Sequence, residues 1–209
     1  MLEKQRIQRI LKILNHLYLK PVTALQYTHP HELLFSTILS AQCTDKQVNK
    51  VTPALFAKYK TVQDFAEADL KDLEKLIRSI GFFRSKALAI QSSARTLMEK
   101  FKGKVPQTLE ELTQLRGVGR KTANVVLGDV FKVAGVVVDT HVKRLAYRLG
   151  LTENTDPVKI EQDLMKLIPK KNWTAFSHQL ILHGRAVCKA RRPWCGECEL
   201  KALCPKKGV

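Results

Sequence analysis

The chain has 209 residues, 44% of them hydrophobic and 26% charged, with 10 Gly and 8 Pro. That length accommodates one large or two small domains, and that composition excludes collagen-like, low-complexity and wholly disordered chains. Lys and Arg number 36 against 19 Asp and Glu, so the net charge of +17 points to a polyanion, nucleic acid ahead of a membrane surface or an acidic protein.

The charge is uneven: residues 166–209 hold ten Lys and Arg against two Glu, which makes the C-terminal fifth a basic face. No apolar run reaches the roughly 18 residues a membrane helix needs. The opening stretch MLEKQRIQRILKIL scatters charges through its apolar positions and lacks the h-region of a secretory signal, which predicts a cytosolic setting where thiols stay reduced.

In chain order the pattern reads as helices. Ile7, Ile10, Leu14 and Leu17 recur at three- and four-residue steps, one face of an amphipathic helix. Asp69 is placed to cap a helix striped by Leu70, Leu73, Leu76, Ile77 and Ile80, with Asp72 at the third position and Gly81 as its stop. Thr108 and Glu111 have capping-box spacing ahead of Leu112 and Leu115. Val136-Val137-Val138 is the one strand-like run, too short and isolated to promise a sheet. There is no internal repeat and no Gly/Ser linker, so any two domains are expected to pack without one.

Three constellations carry chemistry. Cys188, Cys195, Cys198 and Cys204 form a C-x6-C-x2-C-x5-C pattern, and such short spacings let four sulfurs converge on one centre. Two disulfides and buried unligated thiols are the alternatives, disfavoured by the reducing setting and by Lys189, Arg191, Arg192 and Lys201 around the cysteines. A single C-x2-C pair flanked by short arms leans toward a [4Fe-4S] cluster over zinc, and both stay open on spacing alone. Cys43 stands apart and reads as a core or lining residue.

The second is the Gly117-Val118-Gly119 turn between two helical stretches, whose glycines allow a tight turn or close approach of a ligand. Amides opening the following helix would face an anion, and Arg116, Arg120 and Lys121 tilt the turn toward phosphate; an ordinary helix–helix turn is the alternative. The third is Lys121 with Asp139. The helix dipole and neighbouring arginines would lower the pKa of Lys121 toward a nucleophilic amine, although on these residues alone a phosphate contact or a solvated charge ranks ahead of catalysis for a lysine there. Asp139 reads as the N-cap of a helix starting at Thr140 or as a catalytic carboxylate, and His141 as a structural histidine or a proton carrier.

Taken together, SAQCTD at residues 40–45, LRGVGRKTANVV at 115–126, VDTHVKR at 138–144 and the four-cysteine loop resemble the endonuclease III family of helix-hairpin-helix DNA glycosylases. The resemblance covers about residues 5–205, nearly the whole chain. It implies an all-α fold with a six-helix domain at residues 22–132, and a [4Fe-4S] cluster domain built from residues 1–21 and 133–209, with the active site in the cleft between them. It further implies a bifunctional glycosylase and AP lyase that extrudes an oxidised pyrimidine from duplex DNA. Lys121 would attack the sugar C1′ to give a Schiff base, and β-elimination would cut the strand 3′ to the abasic site. Asp139 would activate the amine or stabilise charge developing on the sugar.

By the same resemblance Cys188, Cys195, Cys198 and Cys204 hold the [4Fe-4S] cluster. DNA contacts fall to Gln42, to Gly117, Val118, Gly119, Arg120 and Thr122 of the hairpin, to His141, and to Lys189, Arg191 and Arg192. Gln42 would fill the gap left by the flipped base, and Phe82 or Phe83 would wedge the opposite strand. Gly81-Phe82-Phe83-Arg84 departs from the family's Leu-Tyr-Asn run, being more aromatic and basic. Adenine glycosylases of the superfamily carry a Glu near the position of Thr37 and lack the lysine, which sets them apart from this chain. A monofunctional glycosylase and a non-catalytic, redox-sensing DNA-binding protein are the rivals; the second needs no joint Lys121 and Asp139. A monomer working on damaged duplex DNA in the cytoplasm, at the nucleoid if bacterial, is the expected setting.

Overall fold

The computed structural model describes residues 2–209, and among them every regular element is helical. In chain order these are α1 (Glu3–Leu17), α2 (Pro30–Leu39), α3 (Asp45–Lys58), α4 (Val62–Glu67), α5 (Leu70–Leu76), α6 (Phe83–Phe101), α7 (Leu109–Leu112), α8 (Arg120–Asp129), α9 (Thr140–Arg148), α10 (Pro157–Leu167), a 3-10 turn at Lys170–Asn172 and α11 (Trp173–Ala186). The chain divides into two compact units, one of Thr23–Val133 and one of Met1–Val22 with Ala134–Val209.

The unit of residues 23–133 holds α2 to α8 around Leu33, Leu34, Phe35, Leu39, Leu55 and Phe65, all fully buried. Phe35 meets Phe65 edge to face at 4.6 Å, and Phe56 and Tyr59 flank Phe65. Each such side chain contributes about 1.5–3 kcal/mol by leaving water. Helix starts follow the local sequence. Thr44, Thr61, Asp69 and Thr108 each accept an amide from three residues on. At Thr108 only half of a capping box forms, because its hydroxyl also donates to the Glu111 carboxylate at 2.7 Å.

Gly81 does not stop α5. The helix ends at Leu76, and the next residues advance by i to i+3 bonds, Arg78 to Lys75 and Ile80 to Ile77. Those tighter turns still bury Ile77 and Ile80, so the apolar stripe continues past the point where the helix ends. The left-handed residue of the link is Phe82, at φ 57°, which opens α6.

In the other unit α1 packs beside α11, although nearly 160 residues separate them in sequence. Ile10 and Leu14 of α1 are buried with Leu145, Ile160, Phe176 and Leu180. The Arg6 guanidinium pins the helix by donating to the carbonyls of Leu149 at 2.7 Å, Gly150 at 3.2 Å and Leu203 at 3.2 Å. Val136-Val137-Val138 runs extended without forming a strand. Val136 and Val137 are buried, and the Val137 amide donates to the Ser177 hydroxyl at 3.0 Å.

Candidate functional site

The hairpin comprises α7, the turn 113–119 and α8. Gly117 sits at φ +79°, and a Cβ there would stand 3.0 Å from Ala89 Cβ and 3.5 Å from Ile38 Cγ2. Conformation and packing both demand glycine. Gly119 differs: it is extended, and an added Cβ would meet nothing within 4 Å, so its surroundings are open. Val118 is buried, 5% exposed, with its amide donating to the Leu115 carbonyl at 3.1 Å. Ser93 on α6 anchors the turn by donating to the Arg116 carbonyl at 2.8 Å.

No side chain caps α8, whose first turn carries Arg120, Lys121 and Thr122. Lys121 is exposed, Thr122 half-buried, and Ala123 to Asp129 buried. The helix therefore offers its positive end and a lysine to solvent while its remaining turns anchor it in the core.

Asp139 caps α9, and Oδ1 alone accepts both amides, from His141 and Val142 at 2.8 Å each. The half-buried His141 stands in the same turn. Its Nδ1 lies 3.1 Å from the Arg144 guanidinium. Burial lowers the His141 pKa, and Arg144 and Arg185 reinforce this against the pull of Asp139. Gly184 on α11 makes room for the ring: a Cβ there would lie 2.8 Å from His141 Nδ1. Arg144 also donates to the carbonyls of Gly184 at 3.0 Å and Cys188 at 2.9 Å, joining the start of α9 to the cysteine loop.

The four thiols of Cys188, Cys195, Cys198 and Cys204 are half-buried and line one cavity of about 30 Å³. Among the described residues no three His, Cys, Asp or Glu side chains are spaced to hold a single ion. The thiols instead surround a shared apolar space. Burial pushes the Cys198 and Cys204 thiols up, and the neighbouring cysteines push them further, so holding these two sulfurs as thiolates calls for positive charge beside them. Two nitrogens stand within hydrogen-bonding distance of sulfur. Arg148, 7% exposed, donates to Cys188 Sγ at 3.4 Å and to the carbonyls of Lys189 at 2.7 Å and Ala190 at 3.0 Å. His183 Nε2 stands 3.4 Å from Cys198 Sγ, while its Nδ1 meets the Tyr18 hydroxyl at 3.0 Å. Such a donor set fits a thiolate-held cluster and its supporting hydrogen bonds.

Around that cavity the loop is basic and open. Arg191 and Arg192 are exposed, Arg192 at φ 52°, and Lys189 Nζ stacks 3.9 Å over the Trp194 ring. In the other unit Gln42 is exposed at φ 52°, and Phe82 is 67% exposed whereas Phe83 packs against the core. Thr37 is buried in α2, its hydroxyl donating to the Leu33 carbonyl at 2.7 Å. Sequence reasoning passed over Arg148, His183 and Lys86. All three sit on the apolar stripe of a helix, beside Leu145, Leu180 and Ile90 respectively, and a polar residue at such a position is the signal that was available.

A family model for HhH-GPD superfamily base excision DNA repair proteins matches residues 35–170. The endonuclease III of Synechocystis sp. is 58% identical over 204 residues, 97% of this chain and 93% of that protein. The endonuclease III of Bacillus subtilis is 42% identical over 205 residues, 98% and 94% of the two chains. Among solved structures, a trapped endonuclease III–DNA covalent intermediate aligns at a TM-score of 0.93 and 44% identity, covering 99% of this chain and 97% of that one. A thermostable thymine-DNA glycosylase at 22% identity shares the fold, with a TM-score of 0.88 over 97% and 96% of the two chains.

Proposed function

The chain belongs to the endonuclease III family of HhH-GPD base excision DNA repair proteins, and from that premise we propose that it removes oxidised pyrimidines from duplex DNA and cleaves the strand through Lys121. The enzyme class is that of the family, a DNA glycosylase of base excision repair with AP lyase activity. The observation that carries the finer reading is Lys121, exposed in the uncapped first turn of α8, in a chain 44% identical to a protein trapped as a covalent intermediate with DNA. A covalent intermediate requires a nucleophile, and a neutral lysine amine is one.

In this reading the flipped nucleotide loses its base as Lys121 Nζ bonds to C1′; the glycosidic bond breaks and its electron pair leaves with the base. Nζ then gives up a proton and the C1′–O4′ bond opens, its electron pair leaving on a protonated O4′, so that C1′ and Nζ form a Schiff base; this acidifies the adjacent C2′–H, and loss of that proton expels the phosphate from C3′. Asp139 activates the amine or stabilises positive charge developing on the sugar. With Oδ1 engaged by the cap, Oδ2 is the oxygen that serves. The hairpin residues Gly117 to Arg120 and Thr122 bind a phosphate at the start of α8, and His141 contributes a further DNA contact. Gln42 fills the gap of the flipped base and Phe82 wedges the opposite strand.

Cys188, Cys195, Cys198 and Cys204 hold a [4Fe-4S] cluster, which when bound supplies the positive charge that keeps the four half-buried sulfurs as thiolates. Arg148 donates to Cys188 Sγ and His183 Nε2 stands within hydrogen-bonding distance of Cys198 Sγ, and Lys189, Arg191 and Arg192 present the loop to the DNA backbone. No described helix is long and apolar enough to cross a membrane. The enzyme acts as a monomer in the cytoplasm, at the nucleoid in a bacterium, and a single species of one-chain mass in sedimentation is the expected result.

Borohydride trapping tests the mechanism. A duplex carrying one thymine glycol, incubated with the protein and reductant, should give a covalent adduct on a denaturing gel that Lys121→Gln abolishes. Free base without an adduct would instead make the enzyme a monofunctional glycosylase. Tight binding with neither base release nor adduct would return the chain to a binding-only role.

A further inference from the structure

Lys86 is the least expected side chain of the 23–133 unit. It lies one turn into α6, 5% exposed, on the face that also buries Ile90, Ala94 and Leu97. Its ammonium donates to the Leu39 carbonyl at 2.9 Å and the Ala41 carbonyl at 2.6 Å. Leu39 is the last residue of α2, where carbonyls lack helical partners and attract a cation. Ala41 immediately precedes Gln42, which holds a left-handed φ of 52° that a residue with a side chain adopts only under constraint. The Lys86 backbone amide meanwhile donates to the Phe82 carbonyl at 3.1 Å, closing the turn in which Phe82 takes the same left-handed conformation at φ 57°.

One residue thus ties two exposed, strained positions together, its main chain holding Phe82 and its side chain holding the Gln42 turn. A second tie runs in parallel, since Gln47 Nε2 at the start of α3 donates to the Ser79 hydroxyl at 2.9 Å. Burial draws the Lys86 pKa down while Cys43 pulls it back.

We propose that Lys86 is a positioning residue that locks the Gln42 and Phe82 turns into one rigid edge, so that gap-filling and strand-wedging occur in fixed register when DNA is flipped. This rests on the reading of Gln42 as gap-filler and Phe82 as wedge. An edge assembled before DNA arrives avoids the entropy of ordering two turns on binding, so its benefit falls on DNA with a gap to fill and spares contacts made to phosphates alone.

The test compares the affinity of the full-length, cluster-loaded protein for a duplex bearing a tetrahydrofuran abasic analogue and for the intact duplex. It uses Lys86→Met, Lys86→Arg, Gln42→Ala, Phe82→Ala and the Lys86→Met/Gln42→Ala double variant, with thermal melts alongside. Lys86→Met should lose about tenfold in affinity for the analogue while binding intact duplex within about twofold of the parent. Lys86→Arg, which keeps the cation and its donors, should recover most of the loss. Gln42→Ala should cost far less in the Lys86→Met background than in the parent. A lowered melting temperature with an unchanged ratio of the two affinities would make Lys86 an anchor of the fold only and overturn the proposal, as would full additivity in the double variant. If Gln42→Ala and Phe82→Ala both leave the ratio unchanged, the gap-and-wedge reading itself fails; a silent Lys86→Met beside an effective Gln42→Ala sinks the positioning role alone. Should Lys86→Met not fold, Lys86→Gln, which retains an N–H donor, carries the same comparison.

Discussion

Replacing Gly117 with alanine isolates the hairpin turn, because the cost can be worked from two separate terms. The first is conformational. At φ +79° an L-residue sits in the left-handed region at about 1–2 kcal/mol. The second is steric: the new methyl would lie 3.0 Å from Ala89 Cβ, tighter than nearly all carbon–carbon contacts, with Ile38 Cγ2 in ordinary contact at 3.5 Å behind it. Ala89 is fully packed on α6 and has no rotamer in which to retreat, so relief must come from backbone shifts costing about 1–3 kcal/mol.

Together these give about 2–5 kcal/mol, a large share of the stability of a unit this size. Gly119→Ala is the internal control. Two residues away, it has ordinary φ and open space, so only the weak preference for glycine over alanine at an N-cap applies, below about 1 kcal/mol. Urea denaturation followed by circular dichroism on both variants measures the difference. Equal losses for the two, or a Gly117→Ala loss under about 1 kcal/mol, would refute the account of the turn.

Arg148→Met should destabilise the cysteine-loop unit by about 2–5 kcal/mol, since three acceptors lose a buried charged donor, and the purified protein should show reduced iron content and visible absorbance. The triple variant Lys189→Ala, Arg191→Ala, Arg192→Ala should weaken DNA binding without sequence preference and flatten the slope of log affinity against log salt by up to about 3, at about 0.9 per phosphate contact; an unchanged slope means these residues do not meet the backbone. Asp163 accepts hydrogen bonds from Thr152 at 2.5 Å and Asn154 at 2.6 Å, which lower its pKa from the ordinary 3.8. A folded pKa below the unfolded one means its stabilisation is present above pH 3.8 and is lost as the pH falls through the folded value. The melting-temperature gap between parent and Asp163→Asn should therefore narrow below pH 3.8, and a gap that widens there would reverse the assignment.

What the sequence determined by itself was local. A four-cysteine loop with short spacings, a Gly-x-Gly turn between helices, and caps at Asp69, Thr108 and Asp139 are each written within a few consecutive residues, where chain connectivity alone brings the atoms together. Helical periodicity belongs to the same class, and it misled at Gly81 because tight i to i+3 turns bury Ile77 and Ile80 much as a helix would. Tertiary structure decided the rest. Gln42, Phe82 and Arg192 adopt left-handed conformations that nothing in their own side chains favours, so the surrounding packing and hydrogen bonds must supply the constraint. Lys86, Arg148 and His183 look like misplaced polar residues on apolar stripes until acceptors from distant segments arrive to satisfy them. The assignment of α1 to the unit of residues 134–209 likewise depends on Arg6 reaching carbonyls more than 140 positions away. A sequence pattern records which groups need burial or a partner; only the folded chain, where long-range contacts have offset their loop-closure entropy, shows where the partner comes from.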